Sequence, residues 1–127
     1  MKKITSLLFL IVISICSFGQ AASENLVKKW NLIEIEEFGS KYPKTDEQKN
    51  DFFEFTAENK YNGLINGQVI EGTWTEKAGK YTLTPNKEKS AFKVNWIKLV
   101  SNDKEQLGLN YQSVDLIQTK LFLKPAE

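Results

Sequence analysis

The sequence predicts an all-β domain: an eight-stranded antiparallel up-and-down barrel with one short helix or loop between the first two strands. Three observations predict it. Between residues 26 and 123 there are eight short runs in which apolar and polar residues alternate, the pattern of strands with one buried face. The links between runs are two to six residues long, except the first. Such links force antiparallel neighbours, because a parallel return needs a long crossover. Eight strands joined neighbour to neighbour also close on one another and abolish both edges. A two-sheet sandwich uses the same strands and is the second choice.

The first strand covers residues 26–38. Trp30 and Leu32 share one face and Ile33 and Ile35 the other, a phase change that predicts a bulge or bend. Trp30 plugs one end of the core. Residues 39–50 are the least strand-like part of the domain. Thr45 and Gln48 fit a capping box, so a short helix over 46–50 is expected there, within a loop that either covers a barrel mouth or lies on the surface. The second strand, 52–56, puts Phe53 and Phe55 on one face. The third, 61–65, aligns Tyr61, Gly63 and Ile65. Asn66-Gly67 then gives the strongest hairpin signal, since both central residues of a type I′ turn need positive φ.

The fourth strand, 68–76, aligns Ile70, Gly72 and Trp74; Gly72 leaves room beside the indole or lets the strand bend. The fifth, 80–84, follows the Ala78-Gly79 turn and carries Tyr81 and Leu83. The sixth, 91–100, alternates through Phe92, Val94 and Trp96 and then changes phase at Ile97, which predicts a bulge after Trp96. Asn102-Asp103 sits in a turn. The seventh, 106–111, aligns Leu107, Leu109 and Tyr111. A tight turn at Gln112-Ser113 leads to the eighth, 114–123, and Pro125 ends the domain.

Residues 1–19 are set apart from the fold. Lys2 and Lys3 precede an uncharged apolar run, Leu7 to Ile15, and Ser17 and Gly19 are small residues at −3 and −1 of a cut before Gln20. This is a secretory leader pattern, with an apolar run too short to span a bilayer. It predicts export, to the periplasm or beyond, of a domain over residues 20–127 with no integral membrane span. Cys16 is the only cysteine, and Ile15 before it is a poor lipobox residue, so lipid anchoring at Cys16 is the lesser expectation. Cleavage after Gly19 leaves no thiol for a disulfide, a nucleophile or a metal.

Setting Lys2 and Lys3 aside leaves 15 basic residues, all lysine, against 16 acids, a net of −1. A near-neutral chain has no global field to hold nucleic acid. Lys93, Trp96 and Lys98 mix charge with an aromatic, but Lys93 and Lys98 fall on different faces of an unbulged strand. Histidine and arginine are absent, which removes the commonest general base and the bidentate fork for phosphate or carboxylate. Glu34 and Glu36 share a strand face about 7 Å apart, within the range of an inverting glycosidase pair, yet alternate glutamates usually mark a solvated face. Asn102-Asp103 is one acid short of a calcium loop. No enzyme activity, metal or cofactor is expected.

Trp30, Phe53-x-Phe55 leading to Tyr61, Gly72-Thr73-Trp74, Tyr81-Thr82-Leu83-Thr84, Trp96-Ile97-Lys98-Leu99 and the ending Leu121-Phe122-Leu123-Lys124-Pro125 together resemble the small exported bacterial lipocalin-like proteins. The resemblance covers nearly all of residues 20–127. It implies an eight-stranded barrel whose cup holds a small apolar molecule. Two positions depart from the pattern. Lys28 stands where the family usually has glycine before its tryptophan. No arginine is present to pack over Trp30 from the last strand; Lys120 or Lys124 substitutes only in part.

The expected ligand lining is Trp30, Phe55, Tyr61, Trp74, Tyr81, Phe92, Trp96 and Leu109, with Trp74 and Trp96 as walls and Tyr61 or Tyr81 as a polar handle. An eight-stranded barrel is just wide enough for side chains to fill it, so these residues equally make a filled core. Gly63, Gly72 and Gly108 either remove volume from the lining or mark bends. In the filled case the protein acts as an interaction or inhibitor-like module, through residues 39–50 and the Lys87-Glu88-Lys89 turn. A monomer is expected in both cases.

Overall fold

The computed structural model describes residues 25–126; the leader, Cys16 and the cut before Gln20 lie outside them. Nine strands follow in order: β1 (Lys29–Glu37), β2 (Ser40–Pro43), β3 (Phe52–Phe55), β4 (Lys60–Ile65), β5 (Gln68–Lys77), β6 (Lys80–Pro85), β7 (Val94–Asn102), β8 (Leu107–Ser113) and β9 (Gln118–Pro125). Eight form one antiparallel sheet in the order β6-β5-β4-β3-β1-β9-β8-β7. This is the expected up-and-down barrel, nearly closed. The ninth, β2, lies off this path and forms a hairpin with β1, Ile35 facing Tyr42. Residues 39–50 thus hold a strand that composition hid, followed by a 3₁₀ turn, Asp46–Gln48, in place of the longer helix.

The bulges re-aim side chains. Leu32 faces Leu123 and Glu34 faces Phe122, so Ile33 is the extra residue of β1. It is pushed outward while Leu32 and Ile35 are both buried. In β7 the register shifts twice, between Val94 and Trp96 and between Leu99 and Ser101. The first shift precedes Trp96 instead of following it, which corrects the sequence reading. Val94 and Ile97 point into the core and Trp96 is left out of it. The turn after β8 is also displaced: β8 continues to Ser113 and the chain reverses at residues 114–117, with Leu116 at φ 69°.

Two inward glycines shape the half of the barrel around β4. Gly63 faces Phe53 and Gly72 faces Tyr61 across their ladders. A Cβ on Gly63 would strike the Phe52 carbonyl and lie 3.2 Å from the Phe53 ring. A Cβ on Gly72 would strike the Thr84 carbonyl and lie 2.8 Å from the Tyr61 ring. Each glycine therefore lets a neighbour's aromatic ring lie against the backbone, and the volume it removes is occupied. The third, Gly108, abuts Ser101 and Val100 of β7.

Asp51 fastens the 3₁₀ segment to the β4–β5 hairpin. Asn66 and Gly67 both have positive φ, 54° and 74°, as the turn signal predicts. Their N–H groups donate to the Asp51 carboxylate at 2.7 and 2.9 Å. Gln48 Nε2 donates to Asn66 Oδ1 at 2.8 Å. Residues 39–50 are thus tied down at both ends. Burial nonetheless pushes the Asp51 carboxyl above its ordinary 3.8, against the lowering effect of the Gly67 and Asn66 hydrogen bonds.

Two predictions follow from these contacts. Gly72→Ala lowers stability by about 1–3 kcal/mol, read as a lower urea midpoint; an unchanged midpoint would mean that the strand gives way to the methyl group. A carboxyl raised on folding binds its proton more tightly in the native state. The stability Asp51 contributes is therefore greatest below pH 3.8 and declines as pH rises through its folded value. Carboxyl NMR titration should place its midpoint above 3.8, and a midpoint below that would show the two N–H groups outweighing desolvation.

Candidate functional site

The eight residues predicted to line a cup separate into three groups. Trp30, Phe55, Tyr61, Trp74 and Leu109 are in the core, none more than 3% exposed. Tyr81 and Phe92 are half-buried and pack on that core. Trp96 stands on the outer face of β7, with Lys98 Nζ 4.8 Å from its ring centroid.

The core rings pack on one another. Phe55 and Tyr61 centroids are 5.9 Å apart, Phe53 and Tyr61 6.1 Å, and Trp74 and Tyr81 6.1 Å. Trp30 Nε1 donates to the Leu26 carbonyl at 3.0 Å, and Trp74 Nε1 to the Thr56 carbonyl at 3.2 Å. These bonds satisfy the indoles from the chain's own backbone. The crevice beside Leu32, Phe53, Leu121 and Leu123 has no room for a water molecule. The Trp30 ring is covered by Lys28, whose Nζ lies 5.1 Å from its centroid, while Lys120 lies over Phe122 instead.

At the end of the barrel near Glu37, the core carries a polar string. Thr119 is buried and donates to Glu37 Oε1 at 3.0 Å. Tyr111, beside Thr119, is raised above its ordinary value by burial, with the Thr119 hydrogen bond opposing. At the opposite end Tyr61 is 1% exposed and its hydroxyl has no hydrogen-bond partner; burial pushes it well above the tyrosine range.

Two large hollows among the described residues are open to the outside. One, about 590 Å³, lies over Gly72 between Glu58, Lys60, Glu71 and Lys89. Another, about 630 Å³, lies between residues 80–82 of β6 and 98–102 of β7. This second hollow marks the seam where the ladder stops, since β6 and β7 are the two ends of the sheet. The Tyr81 and Asn102 side chains share a hydrogen bond across it, and burial raises the Tyr81 hydroxyl despite that bond. The Asn102 amide oxygen is buried with no partner. Of the predicted lining, Tyr81 reaches this hollow, with Trp74 behind it. Lys80, Leu99 and Asn102 were not anticipated, because strand periodicity does not show which two neighbours lack a ladder. The one available signal was the phase break in the β7 sequence, since bulges gather at sheet edges.

The other candidates lie on the surface. Glu34, on the outer face of β1, lies 3.8 Å from Lys41. Asp103 Oδ1 accepts the N–H groups of Glu105 and Gln106 at 2.8 and 2.7 Å, as a turn residue does. No helix among the described residues is long and apolar enough to cross a membrane. Comparison with family models, curated proteins and solved structures finds no match for this chain.

The two tryptophans give a direct check on this placement. Trp74→Ala should cost about 3–5 kcal/mol as a core truncation. Trp96→Ala should cost less than about 1 kcal/mol, as a surface change does. Equal losses in urea melts would put Trp96 back in the core.

Proposed function

We propose that this protein is an exported, non-enzymatic lipocalin-like binding module that holds a small hydrophobic molecule at the β6–β7 seam. The observation that carries this reading is the contrast between the two spaces. The core rings pack on one another and the crevice beside Leu32, Leu121 and Leu123 holds no water-sized space, whereas a hollow of about 630 Å³ opens where the ladder stops. Pockets that take small molecules are concave and mostly apolar, with a few placed polar groups. Tyr81, Leu99 and Val100 supply the apolar surface, and Asn102 with Tyr81 supplies the polar handle. The leader pattern of residues 1–19 supports the export half of the reading.

A second reading is a filled barrel that engages a protein through its loops. Phe38 and Leu116 favour it. They are 83% and 70% exposed, and both have positive φ, 53° and 69°. Bulky residues adopt that conformation at a cost, so apolar tips at these turns have no folding rationale. The turns neighbour one another, because β1 pairs with β9 up to Glu36 and Lys120.

Native mass spectrometry of the mature protein from its own host tests the first reading. A non-covalent adduct that is lost in Tyr81→Ala and Leu99→Ala, while the circular dichroism spectrum is kept, is the expected result. An adduct that survives both changes puts the ligand elsewhere. A bare mass favours the second reading.

A further inference from the structure

We infer that the seam hollow takes a single-chain amphiphile with an anionic head, a carboxylate or a phosphate monoester. This rests on the seam being the binding site. The argument comes from charge. Among the described residues lining this hollow there are two lysines, Lys80 and Lys98, and no acid. The hollow over Gly72 differs, since Glu58 and Glu71 offset Lys60 and Lys89 there. A smaller one beside Ile33 and Phe122 sets Glu34 against Lys124. The seam lining thus carries two lysines and no carboxylate, with Glu76 acting on Tyr81 from outside the lining, on a domain whose net charge is −1 by sequence.

Neither lysine is held in an ion pair among the described residues. Lys98 is steadied over the Trp96 ring at 4.8 Å, which limits the freedom of a side chain that lines the hollow. Below the charges, Tyr81 and Leu99 are half-buried on the core and Val100 is 47% exposed. A chain lying against these three meets apolar surface while its head reaches the lysines. Both lysines are solvent-facing, so their attraction is screened by salt over a Debye length of about 10 Å at 0.1 M.

The test uses the mature protein and three probes of equal chain length below their micelle concentrations: dodecanoate, dodecanol and dodecyltrimethylammonium. Calorimetry gives the affinities and amide chemical shifts give the site. Dodecanoate should shift the amides of residues 80–82 and 98–102. It should bind about tenfold or more tighter than dodecanol, a difference of about 1.4 kcal/mol, and more weakly as salt rises. The double variant Lys80→Gln with Lys98→Gln should bring dodecanoate down to the dodecanol level without lowering the melting temperature. Equal affinity for dodecanoate and dodecanol at the seam amides would overturn the head-group inference and leave the seam site standing. No binding by any probe, or shifts away from the seam, would overturn the site as well.

Discussion

Tyr61 lies across Gly72, and Phe53 lies across Gly63. These two ring-on-glycine contacts decide what kind of barrel this is. A side chain at either glycine would collide with a neighbouring carbonyl as well as with the ring, so the backbone and ring approach there as no other residue would allow. The same rings then occupy the space that the missing side chains leave, and an eight-stranded barrel has little interior to spare. The aromatic set Phe53, Phe55, Tyr61 and Trp74 is therefore a core first. A ligand seated among those side chains would have to displace them.

Much of the fold was legible because its determinants are local. The alternation of Trp30 with Leu32, of Phe53 with Phe55 and of Leu107 with Leu109 depends only on the period of a strand. Asn66-Gly67 specified its own turn through backbone sterics. What was not legible depended on pairing. The side on which Trp96 falls is set by a one-residue register shift at Asn95, and a shift of one residue reverses the faces of everything after it. The strand at Ser40–Pro43 is short, wholly exposed and off the main ladder, so no apolar alternation announced it. The seam is subtler still: it is the absence of a ladder, set by how far eight twisted strands travel before meeting.

In the proposed function, that absence provides the binding site. Every other strand of the eight pairs with at least two neighbours, whereas β6 and β7 each have one ladder partner. Edge strands are commonly protected by bulges and lysines. Here β7 carries two register shifts, and Lys80 and Lys98 flank the gap. The devices that keep such an edge from pairing with another chain also leave room for a smaller guest. The interior supplies rigidity, with Trp74 supporting Tyr81 from behind, and the interrupted edge supplies the space.

Native-state hydrogen exchange resolved to single amides tests this account most directly. It compares the β6 and β7 amides that point away from β5 and β8 with those in the β1–β9 ladder. The interrupted barrel predicts that the seam-facing amides exchange by local opening, far faster than global unfolding, while the β1–β9 amides exchange only with unfolding. Equal protection on both sides would mean that β6 and β7 are joined in solution. The seam would then offer no space, and the binding site would have to lie elsewhere.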